Sequence, residues 1–101
     1  QFVESSRQLA AQALLYSQDK SAILQFIAAR LLSRELSTTE IEIVNETLDF
    51  SYAKFKAAPD KAAALISVGE SIAPEKLDPA QLAAWTLIAN QILNMDETLN
   101  K

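Results

Sequence analysis

Asp78-Pro79-Ala80-Gln81-Leu82-Ala83-Ala84-Trp85-Thr86-Leu87-Ile88-Ala89-Asn90-Gln91-Ile92-Leu93-Asn94-Met95-Asp96-Glu97 decides how the chain is read. It carries a helix start signal, an apolar face and the single Trp. Asp78 has the chemistry of an N-cap, its carboxylate accepting from amides that lack a helical partner. Pro79 suits the first helical position, where its missing N–H costs nothing. Leu82, Trp85, Ala89, Ile92 and Met95 recur at helical spacing, and Ile88 and Leu93 widen the stripe.

The same logic runs upstream. Ser37-Thr38-Thr39-Glu40 has the form of a capping box, in which the Ser37 hydroxyl accepts from a free amide and Glu40 reaches back to the Ser37 amide. Leu36 stands where a hydrophobic staple would close. Ile41, Val44, Leu48, Tyr52 and Phe55 follow at helical spacing, with Glu42, Glu46, Asp49 and Lys56 mostly elsewhere on the wheel. Pro59 stops this helix near Ala57, because it disfavours helical geometry at the residue before it. Pro59 and Asp60 then suit the first turn of a short Ala-rich helix ending at Gly69, and 70–77, with Pro74, reads as a linker.

Two earlier helices are expected. One runs over about 2–16, with Phe2, Leu9, Ala10, Ala13 and Leu14 on its face and Val3 and Leu15 widening it. The other runs over about 20–33, after the polar break Ser17-Gln18-Asp19-Lys20. Its stripe of Ile23, Leu24, Phe26, Ile27, Leu31 and Leu32 is so wide that this helix is expected to be the most buried of the set. No segment alternates with the period of a strand. The expected architecture is an all-α bundle of four long helices and one short one, a single domain over 1–101.

Composition agrees and excludes. The 101 residues suffice for one core. Half are hydrophobic, 22% are charged and one is Gly, which is unlike a disordered chain. A net charge of −4 argues against nucleic-acid binding, which needs a clustered positive footprint. It also disfavours docking on anionic membranes. Without Cys or His there is no thiol nucleophile, imidazole base, disulfide, Cys/His zinc site or Cys-x-x-Cys-His haem attachment. No apolar run approaches the roughly 20 residues of a membrane span. The chain begins at Gln1 rather than Met, and it is read as a C-terminal fragment of a larger multidomain protein.

The final helix, with Val68-Gly69-Glu70-Ser71 before it, resembles the end of a known family. Ala84, Trp85, Asn90, Leu93, Asn94 and Glu97 fit an Ala-Trp-x-x-x-x-Asn-x-x-Leu-Asn-x-x-Glu block. Phe2-Val3-Glu4 and the run from Ala29 to Ser37, with Glu40, are similar to the same family's front and middle motifs. The family comprises large planctomycete proteins that pair a cytochrome c-like haem domain with two planctomycete-specific domains of unknown function. The likeness is to the last of those domains. Ser33-Arg34-Glu35-Leu36 departs from it, lacking the Gly and Pro of the family's Gly-Arg-x-Pro turn. The resemblance implies an exported protein, periplasmic or extracellular, whose haem and upstream domains would precede Gln1.

Individual residues give mostly structural readings. Trp85 lies in the apolar stripe and reads as core rather than as a platform for a sugar ring. Asn90 and Asn94, four apart, are either a polar patch for a neighbouring domain or side chains that fasten a loop or the preceding helix, the second being favoured. Arg30 and Arg34 are expected to share a face at the end of the second helix. There they cap its negative pole, the favoured reading since Glu35 and Glu40 are near in sequence, or bind an acidic partner or a sulfated glycan. Asp96 and Glu97 lack the pattern of a calcium loop, Glu42 and Glu46 lack a third ligand for a di-metal site, and Met95 has no His to complete a haem site.

No catalytic, cofactor-binding or metal-binding residue is therefore assigned in these 101 residues. The possible interaction surface is Arg30, Arg34, Asn90 and Asn94. The structural signature is Ser37, Glu40, Asp78 and Trp85. The expected function is a non-catalytic interaction or scaffold domain, binding other domains of its own chain or a protein partner. The alternative is part of a carbohydrate-active or redox enzyme centred in upstream domains, to which Glu70, Asp78 or Glu97 would contribute carboxylates.

Overall fold

The computed structural model describes the backbone of 2–32, 34–67 and 77–99, and the side chains within these ranges from 5 to 94. The described backbone forms helices α1 (Phe2–Tyr16), α2 (Lys20–Leu31), α3 (Thr38–Ala57), α4 (Pro59–Ile66) and α5 (Pro79–Leu99). No strand occurs among the described residues. The expected Gly69 stop, the linker with Pro74, and the side chains of Phe2, Val3 and Met95 lie outside the described residues.

Local chemistry sets most of the boundaries. Asp19 caps α2, accepting from the Ala22 amide at 3.0 Å, and Ser17 Oγ accepts from the Asp19 amide at 3.0 Å. The α3 capping box is present in both directions. Pro59 opens α4, which has no side-chain cap. Asp78 Oδ1 accepts from the Ala80 amide at 3.2 Å, and Asp78 Oδ2 accepts from the Tyr52 hydroxyl at 3.3 Å. One carboxylate thus caps α5 and ties it to the end of α3.

That tie makes α3 and α5 antiparallel. Gln18, just past α1, shares a cavity of about 150 Å³ with Gln81 and Trp85 in the first turns of α5. The end of α1 therefore also meets the start of α5, and these two helices run antiparallel along the most extensive interface of the fold.

The most buried helix is α5, not α2 as the width of the α2 stripe implied. Helix α5 touches each of the other four. Leu82, Ala83, Ala84, Trp85, Thr86, Ile88, Ala89 and Ile92 are all inaccessible, which is most of a helix circumference rather than one stripe. Small residues make this possible. Ala10, Ala11 and Ala13 of α1 and Ala83, Ala84 and Ala89 of α5 are buried, and short side chains allow helix axes to approach toward the lower end of the ~8–10 Å range. Thr86 is the polar member of the set, and its hydroxyl donates to the Leu82 carbonyl at 2.7 Å. In α2, by contrast, Ile23, Leu24, Ile27 and Ala28 are buried while Phe26 and Leu31 sit at the rim.

Trp85 is 2% exposed. Trp85→Ala should cost roughly 3–5 kcal/mol, a large share of the stability of a domain this size. Chemical denaturation measures the loss. Native Trp emission should be blue-shifted and resist iodide, and an exposed, readily quenched indole would contradict this core.

Candidate functional site

Arg34 and Glu40 form the densest polar network in the described structure. Helix α2 ends at Leu31, and Leu32 is already extended at φ −119° and ψ 150°. Arg34 therefore sits in the connection before α3. The expectation that Arg30 and Arg34 share a face of α2 fails for that reason. The two Arg34 Nη groups donate to the two Glu40 oxygens, each at 2.8 Å, and Nη1 also donates to the Glu35 carbonyl at 3.1 Å. Ser37 N–H donates to Glu40 Oε1 at 2.8 Å, and Ser37 Oγ accepts from the Glu40 amide at 3.2 Å. Glu40 is thus both the closing residue of the capping box and the anchor of Arg34.

Arg34 dominates the ionisation of Glu40. Its hydrogen bonds, followed by that of the Ser37 amide, lower the carboxyl from an ordinary 4.5 to about 2 against the opposing effect of burial. Arg30 does something different. Its guanidinium carbon stands 3.9 Å from the centroid of the Phe26 ring, and Tyr16 packs on the same ring at 5.0 Å, tilted by 34°. The two arginines are two separate sites, one stacked and one chelated.

Asn90 and Asn94 also part company. Asn90 is half-buried, and its Oδ1 is inaccessible with no hydrogen-bond partner among the described residues. Asn94 is exposed and has a partner. Gln91 Oε1 is a second buried acceptor without a partner among the described residues. The sequence reading missed a larger group, Arg7. It is 1% exposed, and its Nε and Nη2 find no partner among the described residues. A signal existed: Arg7 precedes Ala10 by three and Leu14 by seven, which puts it on the apolar face of α1. At 1.5 Å per residue, the antiparallel course of α1 and α5 brings Arg7 to about the level of Gln91.

Among the described residues no three His, Cys, Asp or Glu side chains gather as a metal set. No described helix is long and apolar enough to cross a membrane. Of the carboxylates named for a carbohydrate site, Asp78 is the α5 cap, and the side chains of Glu70 and Glu97 lie outside the described residues.

Compared with family models, with curated proteins and with solved structures, the chain matches none.

The accessible surface carries large apolar groups. Phe50 is 71% exposed and Ile43, seven residues earlier on α3, is 44% exposed. Tyr16 is 68% exposed beside Leu15 at the end of α1. Seven residues are two helical turns, so Ile43 and Phe50 share the outer face of α3, interleaved with exposed Glu42, Glu46 and Asp49.

Two outcomes follow. Because the Glu40 carboxyl is lowered in the folded chain, its contribution to stability is full above the ordinary carboxyl range. It is lost as pH falls from about 4.5 through about 2. The stability gap between the native chain and Glu40→Gln should shrink across that window, and a constant gap in denaturation curves would refute the linkage. Replacing the buried Arg7 guanidinium with an apolar side chain of similar length removes the desolvation penalty of its unpaired donors. Arg7→Met should therefore stabilise the 101-residue chain by about 1–3 kcal/mol. A lower melting point would show that the guanidinium is paired in solution.

Proposed function

We propose that this chain is a non-catalytic helical interaction domain that binds other domains of its own protein or a protein partner. The observation that carries the reading is the outer face of α3, where Phe50 and Ile43 lie open to solvent. Exposed large apolar residues grouped on one face favour a contact surface over a solvated one, and aromatic groups dominate the energetics of such contacts. The acidic residues between them make a polar surround that would confer register and discrimination.

On the resemblance of the Ala84-to-Glu97 block, the domain is proposed to be the C-terminal module of a large exported planctomycete protein bearing a haem domain upstream, with a periplasmic or extracellular location. Four long helices and one short one would then be the form in which this module is presented to the remainder of that protein.

The test supplies the domain in trans to the remainder of its parent protein and follows association by calorimetry. Phe50→Asp should leave the melting point nearly unchanged, as expected within about 0.5 kcal/mol for a surface site, yet weaken association at least about tenfold. Titration with haem, divalent metals and a glycan panel is the counter-test. Specific binding of any of these at about micromolar affinity or tighter would sink the purely scaffolding reading.

A further inference from the structure

We propose that the cleft between α2 and α3 binds an uncharged, extended peptide segment with aliphatic side chains. This site lies apart from the outer face of α3. At 3.6 residues per turn, Ile41 and Asn45 stand about half a turn round the helix from Ile43 and Phe50.

The cleft arises from the fold. Helices α2 and α3 are consecutive, yet their backbones stand apart, and each packs on α5. Between them lies an opening of about 580 Å³, inside the roughly 300–1,000 Å³ typical of ligand sites. Its apolar lining comes from Leu24 and Ala29 of α2, Leu36 of the connection and Ile41 of α3. Ile41 is 38% exposed although it heads the α3 apolar stripe. Ion pairs fasten the opening on both sides. Lys20 reaches across from α2 to Asp49 of α3 at 3.1 Å, and Arg34 holds the connection to Glu40.

Charge selects against an ionic ligand. The charged residues of the lining are Asp19, Lys20, Arg34 and Glu35, two of each sign, in a chain whose net charge is −4. Asp19 is committed to capping α2, Lys20 to Asp49 and Arg34 to Glu40. An anion would have to break one of the two cation pairs, and a cation would find only the exposed Glu35 carboxylate in a lining with no net charge.

Three neutral groups of the lining are unspent. Ser21 and Gln25, a turn apart on α2, and Asn45 on α3 make no side-chain hydrogen bond among the described residues. A primary amide offers two donors and an acceptor, which matches the N–H and C=O pair of an extended backbone. A helix would bring its backbone groups already paired and would leave Gln25 and Asn45 unanswered. A sugar would find no aromatic ring in the lining on which to stack. An extended segment alone uses both the amides and the aliphatic floor.

The experiment titrates the ¹⁵N-labelled 101-residue chain with the capped neutral peptide acetyl-Ala-Leu-Gln-Leu-Ala-amide and reads chemical shifts. Saturable shifts are expected at the side-chain amides of Gln25 and Asn45 and at the Ile41 backbone, with a dissociation constant of about 1 mM or tighter. The double variant Gln25→Ala/Asn45→Ala should weaken binding about tenfold. Ala29→Trp, at an exposed helical position, should fill the cleft and abolish binding, with circular dichroism confirming that each variant is folded. The same peptide with Glu at its centre should bind at least about tenfold more weakly. Absence of saturable shifts, unchanged binding in Ala29→Trp, equal binding of the acidic peptide, or shifts centred on Phe50 would each overturn the proposal. The first three leave the reading of the α3 outer face untouched, whereas the loss of association in trans tests that reading alone.

Discussion

Burial of α5 on nearly every side is the constraint from which the architecture follows. A helix with Leu82, Trp85, Ile88 and Ile92 spread round its circumference cannot satisfy them with one neighbour. Each large side chain removed from water contributes about 1.5–3 kcal/mol, and these gains require α1, α2, α3 and α4 to surround it. Packing on a common centre also explains why consecutive helices need not pack on each other. The backbones of α2 and α3 are joined mainly through α5, and the space left between them is a by-product of that arrangement.

Electrostatics is concentrated at the edges of this core. The carboxylates of Asp19, Glu40 and Asp78 each satisfy amides at a helix start, and two of them do a second job: Glu40 binds Arg34 and Asp78 binds Tyr52. A carboxylate that closes a cap and also reaches another element fixes the angle at which the chain enters the helix. The Lys20–Asp49 pair differs in kind, being exposed, and pairs of that sort contribute about 1 kcal/mol or less. Arg7 departs from this economy of partners. Its stem packs in the apolar interface of α1 while Nε and Nη2 remain unanswered among the described residues, a local conflict of the sort that folded chains retain at sites serving something beyond stability.

What the sequence disclosed was what lies close together along it. The start of α3 was legible because Ser37 and Glu40 are three residues apart, its end because Pro59 acts on its neighbour, and the start of α5 because Asp78 and Pro79 are adjacent. The Asp19 cap was open to the same logic but passed as a polar break. The identity of the central helix was hidden, because alanine adds little to an apolar stripe while Ala83, Ala84 and Ala89 are what complete the circumference of α5. The breadth of the α2 stripe misled for a related reason, since Phe26 lies at the rim beneath Arg30. The end of α2 was misplaced because neither Gly nor Pro marks it. As for the surfaces, a helical wheel puts Ile43 and Phe50 together without saying whether another helix covers them. The cleft depends on the separation of α2 and α3, which no local pattern encodes.

The antiparallel pairing of α1 with α5 has a consequence in time. Ala13 and Ala83 belong to one packed interface but are about 70 residues apart in the chain, which synthesis at roughly 5–20 residues per second converts to a delay of roughly 4–14 s. During that interval Ala10 and Ala13, then Ile23, Ile27 and Val44 as they are added, exist without the surface that will cover them. Pairings so distant along the chain slow folding, because the entropy of closing the intervening loop must be met before the contact forms. During its synthesis the unfinished domain would therefore present apolar faces to whatever holds nascent chains, until the Trp-bearing helix arrives.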